Sequence, residues 1–179
     1  MRKHLLAIII ALSALAANNS FAQYNEIKSE NIASLQIVAG NNWLSMPIAT
    51  LNGEAINISF DDLTHEYHRY AYRLQHCEAD WSVSEGIFES DYCEGFADGS
   101  TIDDIEESLN TNTLYTHYRL SIPNENCRIK MSGNYRLTVY DENEGDTVFT
   151  ACFMVVEPLV KTSMAVTTNT DIDTNKAHQ

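Results

Sequence analysis

The sequence predicts an all-β fold, an antiparallel immunoglobulin-like sandwich with one long acidic loop, and three observations carry that reading. Apolar and polar residues alternate in several separate runs, turn-forming residues stand between the runs, and no long amphipathic helical pattern connects them. Such spacing of short strands points to Greek-key connections.

The first run is Ser34 to Ala39, and Asn52-Gly53 marks a turn before the second, Ala55 to Phe60, where Ile56, Ile58 and Phe60 alternate with polar neighbours. Tyr67 to Cys77 is the longest single strand candidate. His68, Tyr70, Tyr72, Leu74 and His76 share one of its faces, with Arg69, Arg73 and Gln75 on the other.

From Glu78 to Thr113 the alternation fails and acids accumulate, with no Lys or Arg between Arg73 and Arg119. This segment is the long acidic loop. A helical turn is expected over Ile102–Leu109, because Thr101 can cap it and Ile102, Ile105 and Leu109 fall on one helical face. Structureless loops of this length inside compact domains tend to be functional or covered.

Strand character returns at Leu114 to Ile122, stops at Pro123 and resumes from Cys127 through Met131. Asn134 to Asp141 and Thr147 to Glu157 then flank the turn residues Glu142 to Asp146 as a terminal hairpin. Ser132-Gly133-Asn134-Tyr135 opens it in the manner of a tyrosine corner, with the Tyr135 ring buried and its hydroxyl returned to the upstream backbone; an ordinary core tyrosine is the alternative. In the last strand Phe149, Ala151, Phe153 and Val155 form the core face. Val148, Met154 and Val156 give it a second apolar face, which is expected to pack on a further domain after Pro158.

At the N-terminus, Met1-Arg2-Lys3-His4, an apolar run from Leu5 to Ala17 and the small residues Ser20 and Ala22 have the three-part layout of a secretory signal, with cleavage after Ala22. The apolar run is too short for a permanent membrane span, and no later stretch is long and apolar enough, so direct membrane insertion is not expected. Residues 1–22 are thus read as signal peptide, 23–157 as the sandwich and 158–179 as a linker or the start of a second domain. Removing Arg2 and Lys3 from the 11 bases leaves nine against 25 acids, a formal charge of −16 that repels nucleic acid and anionic lipid.

Cys77, Cys93, Cys127 and Cys152 in an exported chain can form disulfides, and four cysteines allow three sets of pairs. Cys77 to Cys93 is expected, because it would tie the acidic loop to its strand. None of the four has CxxC spacing, so neither a zinc nor a thioredoxin-like site is indicated.

Three clusters could carry chemistry, and each has a plainer reading. His65-Glu66-Tyr67-His68 lacks one residue of the zincin spacing, and on a strand its two histidines face apart. His76, Glu78 and Asp80 with Ser82 and Ser84 have no nucleophile elbow and no oxyanion turn beside them, so a strand-end histidine bonded into the next turn is the simpler description. Asp91, Glu94, Asp98, Asp103 and Asp104 lack the ligand alternation and central glycine of a calcium loop. The residues therefore predict no catalytic centre, no metal and no cofactor. Trp81, Phe88, Tyr92 and Phe96 lie interleaved with those acids, either as anchors of a protein interface or as rings that pin the loop down; Trp81, Tyr92 and Phe96 are the binding candidates.

Phe60-Asp61-Asp62-Leu63, Tyr72-Arg73-Leu74-Gln75-His76-Cys77-Glu78-Ala79-Asp80-Trp81, Gly95-Phe96, Tyr115-Thr116-His117-Tyr118-Arg119-Leu120 with Pro123-Asn124, and Ser132-Gly133-Asn134-Tyr135 together resemble the N-terminal domain of the type IX secretion system plug protein family. The resemblance runs from about Ser34 to the C-terminus. It implies a non-catalytic periplasmic protein, associated with the inner side of the outer membrane, that closes the periplasmic end of the outer-membrane translocon β-barrel. It also implies a second domain after the equivalent of His178-Gln179. The other function considered is a generic cell-surface or glycan-binding sandwich module.

Overall fold

The computed structural model describes residues 25–164, so the signal peptide expected over 1–22 and the polar tail beyond 164 lie outside the described residues. The strands are β1 (Glu26–Ile27), β2 (Ile32–Ala39), β3 (Ile48–Thr50), β4 (Ile56–Asp62), β5 (Tyr70–Cys77), β6 (Cys93–Gly95), β7 (Asp98–Thr101), β8 (Asp104–Glu107), β9 (Thr116–Ile122), β10 (Cys127–Ile129), β11 (Gly133–Asp141) and β12 (Thr147–Val156). One short helix, α1 (Glu89–Tyr92), precedes β6. One sheet runs β1-β12-β11-β5-β7, with β3 added in parallel to β12; the other runs β2-β4-β9-β8, and β6 and β10 form a small pair. All remaining pairings are antiparallel, as expected for the sandwich.

The alternation read from the sequence becomes the core. Ile56, Ile58 and Phe60 of β4 and Tyr118, Leu120 and Ile122 of β9 face Tyr72 and Leu74 of β5, Leu137 and Val139 of β11, and Phe149, Ala151 and Phe153 of β12, all buried. Phe60 stands at the middle, stacked on Tyr118 with centroids 5.1 Å apart and edge-on to Tyr70 and Phe149 at 5.5 and 4.9 Å. It thus joins the two sheets through four rings. The longest strand is β12, not β5, which starts only at Tyr70 because Tyr67 and Arg69 are drawn into the preceding connection.

The terminal hairpin forms where expected, and so does the tyrosine corner. The Tyr135 ring is fully buried and its hydroxyl donates to the Met131 carbonyl at 2.6 Å. Gly133, at φ 152°, enters the corner because a Cβ there would collide with the His76 imidazole. The second apolar face of β12 is less open than expected. Val148 is buried and Met154 half-buried, leaving Val156 exposed.

The acidic segment 78–113 holds α1 and three strands, so it is not a structureless loop. The helix expected over Ile102–Leu109 is replaced by β8, whose four residues pair with β9. Bases on or beside neighbouring strands accompany this arrangement. Arg119 of β9 is hydrogen-bonded to both Asp104 and Glu106 on the same face of β8, and Arg73 of β5 donates to Asp98 at 2.8 Å. Lys130 bonds the Ser90 carbonyl at 2.7 Å. Acids that would repel one another along a free loop are held by cations from the sheets.

At one end of the core the stripe Ile56-Ile58-Phe60 continues into a charge. Asp62 is completely buried, accepting from the Tyr70 hydroxyl at 2.8 Å and from the Thr64 amide and hydroxyl at 2.9 and 2.8 Å. Burial and the Asp62 carboxylate push the Tyr70 phenol far above its ordinary value. His68 lies between Asp62 and the buried Asp141, its Nδ1 3.1 Å from Asp141 Oδ2. For Asp141, burial alone would raise the carboxyl, but the Asn143 amide, His68 and the Glu144 amide outweigh it and hold the carboxyl below its usual range. A carboxyl lowered in the folded state stabilises the fold above the unfolded value, near pH ~4, and loses that contribution as pH falls through the lower folded value. Urea unfolding measured from about pH 6 down to about pH 2 is therefore expected to show stability declining on the acid side, with a shallower decline for Asp141→Asn.

Candidate interaction surface

The histidine groupings singled out in the sequence are each drawn into local hydrogen bonds. His65 Nδ1 bonds the Tyr115 carbonyl at 3.3 Å while His68 turns to Asp141, so the two histidines do not converge. Among the described residues no group of three or more His, Cys, Asp or Glu side chains is arranged to hold a metal ion. His76 does meet a serine, its Nδ1 2.8 Å from Ser84 Oγ. Asp80, however, is spent on the Ser82 amide and hydroxyl at 3.0 and 2.6 Å in the turn after β5, and the second His76 nitrogen faces the Ser132 carbonyl at 3.4 Å. The imidazole also packs edge-on against the Tyr135 ring at 5.3 Å. His76 therefore ties the end of β5 to the start of β11.

The three binding candidates have separate fates. Tyr92 is buried. Its hydroxyl donates to the Leu74 carbonyl at 3.0 Å and its ring lies against Tyr135. Burial and the nearby Glu89 carboxylate push its phenol up to about 12. It is a core residue, and the expectation that it anchors a partner is corrected on that ground. Trp81 is half-buried, at φ 66° in a turn where its amide donates to the Glu78 carbonyl at 3.0 Å. Phe96 is 69% exposed, and Phe88, at the start of α1, is 76% exposed.

A second exposed group was missed from the sequence. Trp43, Leu44 and Met46, all about 70% exposed, sit on the connection between β2 and β3. The available signal was Trp43-Leu44-Ser45-Met46 between Asn41-Asn42 and Pro47: large apolar residues inside turn chemistry, where no strand could bury them. Trp43 borders a groove of about 300 Å3 lined also by Gln36, Asn57, Asp104 and Arg119.

The expected Cys77–Cys93 pair is likewise not the arrangement seen. Pairing of β6 with β10 brings Cys93 against Cys127, sulfurs 2.8 Å apart, whereas Cys77 sits at the end of β5 opposite Asn134. All four cysteines are buried thiols.

The sequence words that carried the resemblance meet in space in two sets. Phe60-Asp61-Asp62 of β4 pairs residue by residue with Thr116-His117-Tyr118 of β9, Asp61 opposite His117 with Oδ1 and Nδ1 2.5 Å apart. His76-Cys77 pairs with Asn134-Tyr135, and the Asn134 amide reaches the Glu78 carbonyl at 2.9 Å. A family model described as the first domain of the type 9 secretion system plug protein matches residues 32–157. The chain belongs to that family. A crystal structure of a hypothetical protein from Parabacteroides merdae is also similar, at 44% identity and a TM-score of 0.75, over 86% of this chain and 38% of that one. The chain thus spans well under half the length of that relative. No curated protein matches it. In this plug first domain the first set fixes the register of β4 on β9 in one sheet, and the second fixes that of β5 on β11 in the other. The exposed rings of Trp43, Phe88 and Phe96 lie outside these strand pairings.

Proposed function

We propose that the parent protein closes the periplasmic end of the type IX outer-membrane translocon by binding and not by catalysis, with this domain supplying part of the contact surface. The observation that carries the reading is the set of large apolar side chains left exposed on three connections of a plug-family domain: Trp43, Leu44 and Met46 before β3, Phe88 before α1 and Phe96 after β6. Aromatic residues set in a polar, acidic surround are what protein interfaces use as anchors. The signal-like first 22 residues support delivery to the periplasm, at the inner side of the outer membrane, and residues 158–179 are read as the link to a second domain.

In cells that carry the translocon, loss of the full-length protein is expected to admit large antibiotics that the outer membrane normally excludes. An unchanged barrier in those cells refutes the plug role. For the contact surface, Phe96→Ala and Trp43→Ala in the full-length protein are each expected to weaken binding to the purified translocon by about 2 kcal/mol, with Trp81→Ala costing less because half its ring is already covered. Equal affinities for all three variants and the parent would mean that these rings lie outside the interface.

One observation favours a second reading, a glycan-binding module. The groove beside Trp43 combines an exposed indole with amide, carboxylate and guanidinium groups, a mixture suited to sugar hydroxyls. Titration with soluble envelope polysaccharides separates the two: saturable binding that Trp43→Ala abolishes favours the glycan reading, whereas capture of an outer-membrane barrel favours the plug.

A further inference from the structure

We propose that Cys93 and Cys127 are joined by a disulfide in the exported protein, a cross-link that fastens the acidic segment to the edge of the sandwich. The two residues stand on β6 and β10, a sheet of three residues per strand in which Cys127 is opposite Gly95 and Ile129 opposite Cys93. The cysteines are therefore diagonal neighbours. Their sulfurs lie 2.8 Å apart, and closing to a bond of ~2.05 Å needs less than an ångström of further approach. No other pair of the four is so placed in the strand pairing. Cys77 and Cys152 lie on β5 and β12, with β11 between them.

The local backbone is shaped for close approach. Gly95 has φ 108°, and a Cβ on it would collide with the Asn126 carbonyl, so only glycine lets β10 come this near. The Phe96 amide donates to that same carbonyl at 2.7 Å, and the Asn124 side chain accepts from the Asn126 and Cys127 amides at 2.9 Å each. The turn before β10 is thus fixed in the position that presents Cys127 to Cys93.

The chemistry balances with one co-reactant. The Cys93 thiol loses its proton to solvent, and its thiolate attacks a disulfide of an exchange donor, a periplasmic thiol–disulfide oxidoreductase or oxidised glutathione. The donor's S–S bond breaks and a mixed disulfide forms on Cys93. Cys127 then loses its proton to solvent and displaces the donor, which leaves as its thiol form carrying the electron pair. Both sulfurs are buried in the fold, so the exchange belongs to folding, before β6 and β10 close over them. The bond would close a loop in which the partners are 34 positions apart, the stretch that carries Phe96 and β7 to β9.

The test refolds the reduced, denatured full chain in a glutathione redox buffer, blocks remaining thiols by alkylation in denaturant and cleaves after glutamate. Glu78, Glu94, Glu125 and Glu142 place each of the four cysteines in a separate peptide. The expected result is a Cys93 peptide joined to a Cys127 peptide, two hydrogens lighter than their sum. Cys93→Ser, Cys127→Ser and the double variant should then all lower Tm by the same amount, about 10 °C, since each removes one shared bond. Recovery of Cys93 and Cys127 alkylated from most of the folded chain, or of either joined to Cys77 or Cys152, overturns the proposal. If the serine variants fail to fold, the peptide map of the unsubstituted chain decides it alone. Neither readout depends on the plug role.

Discussion

Phe60→Ala is expected to lower the unfolding free energy by about 4 kcal/mol, near the top of the range for deleting a buried ring. Phe60 has no exposed surface and touches Tyr70, Tyr118 and Phe149, so its removal leaves a cavity between two sheets that are held apart by the other three rings. The backbone on either side is fixed by pairing of β4 with β2 and β9, which limits collapse into the gap. Urea denaturation of the parent, Phe60→Leu and Phe60→Ala gives the measurement. Leucine should recover much of the loss, because it refills volume without the ring contacts. A cost below about 1 kcal/mol for alanine would show that the four rings are not the joint between the sheets.

Asp62→Ala should cost about 3 kcal/mol for a different reason. The methyl group leaves the buried Tyr70 hydroxyl and the Thr64 amide without their acceptor. Removing one member of a buried polar set costs more than the net worth of its bonds, since the remaining donors are stranded away from water. Asp62→Asn keeps one acceptor oxygen and should fall between alanine and the parent. The comparison is again by urea midpoint at neutral pH. Equal midpoints for all three proteins would mean that water enters this end of the core.

Much of the fold was legible because its strands are long enough to show their period. In β4 and in β11 to β12 the apolar positions recur on one face for three or more repeats, and the turn residues Asn52-Gly53 and Glu142 to Asp146 stand where the chain reverses. The same logic fails for β6, β7 and β8, each three or four residues long, where a period of two cannot be distinguished from chance. Ile102, Ile105 and Leu109 match a helix on paper, yet Ile102 is buried between β7 and β8 and Ile105 packs on the core from β8, while Leu109 is 81% exposed. The strand that forms instead is paired along its length with β9, whose Arg119 reaches two of its acids.

The contact surface was less legible than the fold for a related reason. Whether an aromatic residue in an irregular segment is an anchor or a core ring depends on which strand passes beneath it, and that is not local information. Tyr92 is covered because Leu74 and Tyr135 lie under it, while Phe96, four residues on, is carried outward past Gly95. The cysteines pose the same difficulty: sequence distance favours Cys77 with Cys93, but strand pairing brings Cys127 from 34 positions away.

The position of β12 also has a mechanical consequence. The chain leaves the sandwich at Val156, the end of its longest strand, which is bonded to β11 along one edge and to β1 and then β3 along the other. Leu51, just past β3, still donates its amide to the Val156 carbonyl at 2.8 Å. A load applied through residues 157–164 along the axis of β12 acts across its hydrogen bonds, perpendicular toward β11 and β1 and slanted toward β3. Those bonds share the load in shear and do not open one after another. A pull from that side moves the sandwich as one body and does not peel away its last strand.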